Sequence, residues 1–184
     1  MKLLSATLLA ISMFSIARAD SWAFPKPRSF LSESGQYVLR IIPGKSAENS
    51  KAIAIIFELN SEGDKYIKKK EFPLVNHLSP ADAIISDKGE VFTFDDWGNA
   101  GYRHVVVYYS VDGKIKADYT LQQLFPAKQF KELCDNHSTV SSVWWRGGVP
   151  RFDDSLSVII DDALGGCIAI ANNGKVEYFP PKKE

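Results

Sequence analysis

Tight turns recur at near-constant spacing along this chain, and they constrain its fold more than any other feature. Ser86-Asp87-Lys88-Gly89 precedes the run Val91-Phe92-Thr93-Phe94, and Asp112-Gly113 separates Val105-Val106-Val107-Tyr108-Tyr109 from an alternating segment with Ile115, Ala117 and Tyr119 on one side. Asp-Gly suits a two-residue hairpin because both central residues tolerate positive φ. Alternation gives a half-exposed strand, whereas the continuous β-branched and aromatic run needs cover on both faces. Residues 84–120 therefore read as a four-stranded antiparallel unit.

Weaker copies flank it. Ser32-Glu33-Ser34-Gly35 repeats the first turn 54 residues earlier, and Glu62-Gly63 and Asn173-Gly174 repeat the hairpin turn. Three meanders are expected, at about 30–72, 83–120 and 139–180. In the third, residues 139–145 form the first strand and 156–160 the second. Residues 72–80 would be a linker, with Ser79-Pro80 opening a helical turn. Thr120-Leu121-Gln122-Gln123 has the form of a capping box, and Pro126 followed by Phe130 and Leu133 continues a short helix between the second and third units. A four-stranded repeat near 50 residues is a propeller-type signature, but propellers generally close with four or more blades. The expectation is an all-β, blade-like, incomplete arc; a β-sandwich is the alternative. Its two end faces need cover, for which the aromatic segment 22–27 and the helix are the candidates.

Before this domain, Lys2, an apolar run over residues 3–16 and Ala17-Arg18-Ala19 form a secretory signal pattern, with cleavage after Ala19. Residues 20–184 then constitute one exported domain, periplasmic or secreted, without a membrane span. This mature chain has 165 residues with 20 basic and 22 acidic side chains. That balance supplies no electrostatic attraction for nucleic acid. Lys65, Lys68, Lys69 and Lys70 fall on an edge strand, where lysines deter pairing with another chain. Cys134 and Cys167 are compatible with a disulfide in an exported protein and equally with two separate buried thiols.

The blocks SDKGEVF and VDGKI, varied as SESGQYV and NNGKV, resemble β-propeller blades of exported bacterial proteins. The helix followed by SSVWWRG is similar to a group of small exported bacterial proteins without established activity. The resemblance implies a fold type and no catalytic residues.

Candidate chemistry concentrates where the copies differ. Asp95-Asp96-Trp97-Gly98-Asn99-Ala100-Gly101-Tyr102-Arg103-His104 has no counterpart in the other units. Asp95, Asp96, Trp97, Asn99, Tyr102, Arg103 and His104, together with Trp145, are the candidate binding residues. Trp144 and Trp145 alternate faces, so one enters the core and the other is exposed beside Arg146. An aromatic platform of this kind would suit a sugar ring or a peptide. His104 near Asp95-Asp96 could form an acid–base group, which is the alternative reading as a cell-envelope hydrolase. A Ca²⁺-stabilised domain is a third reading, although no D-x-D-x-D-G spacing is present. The leading expectation is a non-catalytic binding or protein-interaction module for a protein or carbohydrate, with no cofactor, no metal and scope for homo-oligomers.

Overall fold

The computed structural model describes residues 23–45 and 50–182. The signal segment therefore lies outside the described residues. The first sheet contains β1 (Arg28–Leu31), β2 (Tyr37–Ile42), β3 (Lys51–Leu59) and β4 (Tyr66–His77). The second contains β5 (Pro80–Ile85), β6 (Val91–Asp96), β7 (Val106–Tyr109) and β8 (Ile115–Tyr119). Helices α1 (Leu121–Leu124) and α2 (Ala127–Asn136) lead to the third, with β9 (Arg151–Phe152), β10 (Val158–Asp161), β11 (Cys167–Ile170) and β12 (Val176–Phe179). Each sheet is a four-stranded antiparallel meander in chain order, and the three do not close into a ring. The two-sheet sandwich is not formed.

Local chemistry accounts for the turns. The Ser32 hydroxyl accepts the Tyr37 N–H at 3.0 Å, and the Ser86 hydroxyl accepts those of Lys88 and Glu90 at 3.2 and 3.1 Å. Gly35 and Gly89 both adopt φ 75°, where a side chain is strained. The copies differ by one residue, however. Ser32 N–H reaches Tyr37, five positions on, while Ser86 N–H reaches Glu90, four positions on. The constant 54-residue offset is thus correct at the turn and slips by one in the strand. Because side chains alternate with period two, that slip decides the faces. Leu39 and Ile41, not their even-numbered neighbours, correspond to Phe92 and Phe94.

Two cores result. The first sheet contributes Leu39, Ile41, Ala54, Ile56 and Leu74 against Ile85, Val91, Val107 and Tyr109 of the second. The opposite face of the second sheet, with Phe92, Phe94, Val106 and Tyr108, packs on Val158, Ile160, Ile168 and Ile170 of the third. Strands β6 and β7 are consequently buried at every position, as the continuous apolar run of β7 requires. Two buried polar groups there are satisfied: Thr93 Oγ1 donates to Asn76 Oδ1 at 2.7 Å, and the Tyr109 hydroxyl accepts the Val75 N–H at 3.0 Å.

Four expectations are corrected. Residues 139–145 do not form a strand; only an isolated Ser138–Val143 bridge occurs, because Trp145 is drawn into the second core and Val143 packs beneath Gly101. The first strand of the third sheet is instead the two-residue β9. Residues 72–77 continue β4 rather than forming a linker, and Pro80 opens β5 rather than a helical turn. Pro73 is tolerated because β4 is an edge strand, where every second N–H points away from the ladder. Finally, neither the helix nor residues 23–27 of the lead segment cover an end face; Trp22 lies outside the described residues. Leu121, Leu124, Phe125 and Leu133 fill the second core, and residue Ala23 runs beside the β6–β7 loop, accepting the Trp97 indole N–H at 3.1 Å. The capping group itself is present, since Gln123 Oε1 accepts the Thr120 N–H at 2.8 Å.

Two of the edge lysines are neutralised locally. Lys68 pairs with Glu71 at 2.5 Å and Lys69 with Glu58 at 2.6 Å. Cys134 and Cys167 are both free thiols, so the disulfide is not formed in this structure.

Candidate functional site

Loops joining the second and third strands meet at one end of the arc. Ala100 C=O accepts the Val143 N–H at 2.8 Å, Trp145 C=O accepts the Ala163 N–H at 2.9 Å, and the Gly147 N–H donates to Asp161 C=O at 2.8 Å. Segment 143–147 is thereby held between the β6–β7 and β10–β11 loops. The first sheet joins the same end through Leu78, whose N–H and C=O bond Ser50 and Gly44.

Asp95 organises this junction. Its backbone has φ 55°, a conformation that short polar side chains such as Asp tolerate better than most. Its Oδ1 accepts the Gly101 N–H at 2.7 Å and the Trp145 indole N–H at 2.8 Å. Its Oδ2 lies 3.3 Å from Arg146 Nε, close enough for an ion pair but not aligned as a hydrogen bond. Arg146 Nη1 also donates to Asp82 Oδ2 at 3.1 Å, and the guanidinium lies 5.5 Å from the Phe94 ring centre. Asp95 is 1% exposed. Burial pushes its carboxyl above the usual range, opposed chiefly by Arg146 and then by the Gly101 and Trp145 donors.

Asp96 faces elsewhere. Its Oδ1 accepts from Asn76 Nδ2 and from the His77 N–H, each at 3.1 Å. Burial raises its pKa, and these two donors are the leading opposing influence. The adjacent carboxylates therefore tie two different segments to the end of β6. His104 Nδ1 lies 2.8 Å from Asp118 Oδ2 on β8, so the anticipated bond to Asp95 or Asp96 is replaced by one across the other hairpin.

A cleft of about 270 Å³ opens above Asp95, lined by Asp82, Asp96, Ala100, Trp144, Arg146 and Val149. Trp144 and Trp145 separate as their alternation requires: Trp145 is fully buried, while Trp144 is 50% exposed on the cleft. The exposed platform is hence Trp144, and Trp145 is its anchor. Of the other sequence candidates, Tyr102 and Arg103 border a separate hollow of about 330 Å³ beside Phe130 and Cys134 of α2. Trp97 contacts the lead segment, and Asn99 is exposed, its N–H bonded to Asp96 C=O. The eight candidates thus do not form one site. Sequence reasoning missed Asp82 and Asn76, which lie outside the distinctive loop, and placed Arg146 only as a neighbour of the exposed Trp. A larger hollow of about 670 Å³ lies at the first sheet's hairpin ends. Its lining carries no aromatic ring, leaving the Trp144-bearing cleft above Asp95 as the better-equipped site.

Among the described residues, no group of three or more His, Cys, Asp and Glu side chains is placed to hold a metal ion, and no helix is long and apolar enough to cross a membrane. No family model matches the chain, and no curated protein matches it as a relative.

Proposed function

We propose that this protein is an exported, non-catalytic binding module whose cleft between β5, β6 and segment 144–149 takes a carbohydrate unit. The observation that carries this reading is the division of labour between the paired tryptophans. Trp145 is locked by Asp95, which leaves Trp144 half exposed beside the guanidinium of Arg146 and the carboxylate of Asp82. An aromatic face next to charged hydrogen-bonding groups matches a sugar ring, which has apolar C–H faces and a hydroxyl rim. Preorganisation by buried contacts limits the ordering cost of binding. Titration with soluble N-acetylglucosamine oligomers and with acidic oligosaccharides, read by tryptophan fluorescence and calorimetry, tests this. Saturable binding by wild type that Trp144→Ala abolishes is expected. Absence of binding by every oligosaccharide, or undiminished binding by Trp144→Ala, refutes the reading. Export rests on Lys2, the apolar run and Ala17-Arg18-Ala19. A mature N-terminus at Asp20 in the exported fraction is the corresponding expectation.

A further inference from the structure

We infer that two copies of this chain close head to tail into a ring of six sheets, the outer face of the first sheet packing on the outer face of the partner's third. Each sheet has one face toward its predecessor and one toward its successor. The predecessor faces of the second and third sheets, with Val91, Val107 and Tyr109, and with Val158, Ile168 and Ile170, are 0% exposed. Strand register equates these with Val38, Ile55 and Phe57 of the first sheet, since Val38 pairs Phe57 as Val91 pairs Tyr109 and Val158 pairs Ile170. Yet Val38, Ile55 and Phe57 are only partly covered, and Leu31 and Tyr66 on the same face are 62% and 40% exposed.

The glycine turns show what is missing there. A Cβ on Gly113, in the second sheet's last hairpin, would meet the Phe72 ring of the first sheet at 2.4 Å. A Cβ on Gly174, its counterpart in the third sheet, would meet the Tyr119 hydroxyl of the second at 3.1 Å, and that hydroxyl donates to Gly174 C=O. Phe72 and Tyr119 occupy the same place in their sheets, opposite Ala54 of β3 and Val106 of β7. The first sheet's counterpart, Gly63, has nothing within 4 Å of that position, and neither has Gly35, although its counterpart Gly89 lies under the Tyr37 ring. The third sheet meanwhile ends in an aromatic with no turn to seal. Phe179 pairs with Cys167 as Tyr119 does with Val106, and it is 48% exposed.

The chain thus contains the same interface twice internally and carries its two unmatched halves at its ends. A second copy satisfies both at once, through two identical heterologous contacts that close on a twofold axis. Phe179 of one copy would then lie on Gly63 and Phe57 of the other, as Phe72 lies on Gly113 and 5.5 Å from the Tyr109 ring centre. Six sheets fall within the usual range for ring closure.

Sedimentation of the mature chain from about 1 to 100 μM tests this, with Phe179→Glu and Phe57→Glu as the variants. Wild type is expected to sediment as a pair. Each variant alone is expected to be monomeric with an unchanged far-ultraviolet spectrum, because either substitution spoils both contacts. An equal mixture of the two variants retains one intact contact and is expected to recover a pair, with an apparent dissociation constant at least tenfold above wild type. A monomeric wild type, a mass that grows without limit, a pair insensitive to Phe179→Glu, or a mixture that stays monomeric would each overturn the inference.

Discussion

Asp95 and Asp162 occupy equivalent places in successive sheets and are used differently. Each stands within one residue of the end of its sheet's second strand, each donates its N–H at 2.9 Å to the residue leading into the third strand, and they are 1% and 3% exposed. Each also offers Oδ1 to loop N–H groups: Gly101 for Asp95, and Leu164 and Gly166 for Asp162. They diverge at the remaining contacts. The Asp162 side chain stays within its own sheet, where its Oδ2 and the Tyr178 hydroxyl approach each other across Gly166 without an aligned hydrogen bond. Asp95 reaches outside its sheet to Trp145 and Arg146. A carboxylate that closes a loop belongs to the repeated fold, whereas one that also recruits residues from a connecting segment builds a cleft.

The sharpest way to break this comparison is to delete both carboxylates. Asp95→Ala strands the Gly101 N–H and the Trp145 indole and leaves the partly buried Arg146 with Asp82 as its remaining carboxylate, so urea unfolding should show a loss of about 3–5 kcal/mol. Asp162→Ala strands only backbone donors and should cost about 1–3 kcal/mol. Equal losses would mean that Asp95 has no wider structural role. Trp144→Ala should separate binding from folding, with saccharide capture lost and stability lowered by less than about 1 kcal/mol. Binding retained by that variant would place the ligand elsewhere.

Acidity provides a subtler measure. Because burial raises the Asp95 pKa in the folded state, its contribution is fully present below the ordinary carboxylate value and declines as pH rises through the raised one. Wild-type stability relative to Asp95→Asn should therefore fall with increasing pH across that window. A flat difference would show that Arg146 and the N–H donors cancel the desolvation. The smallest effect is expected at His104→Ala, since the His104–Asp118 pair is one-third exposed on each side; a change within about 0.5 kcal/mol is anticipated. A loss of several kcal/mol would restore His104 to the core of the site.

The fold was largely legible because turn chemistry and strand periodicity are local. Ser32, Ser86 and the Gly113 and Gly174 turns mark the meanders from their own neighbourhoods. Local signals failed where a distant partner decided the outcome. Val143 and Trp145 have the composition of a strand, but their backbone follows Ala100, Ala163 and the second core. The slip between the first and second copies was equally invisible, since one extra turn residue leaves the motif intact and reverses the strand's faces.

The site was legible only in part. Asp95 and Asp96 stood out because their loop departs from the other copies, and Trp144-Trp145 because adjacent aromatics must face opposite ways. Asp82 and Asn76 gave no such signal, being single polar residues within ordinary strands.

By itself, the sequence determined three antiparallel meanders, their hairpin turns and the intervening helix, because each depends on backbone preferences within a few residues. Tertiary structure alone decided which tryptophan is buried, where the helix packs and which carboxylate meets Arg146. Those outcomes depend on side chains about 50 residues apart, as Trp145 is from Asp95, meeting in a space that no local pattern describes.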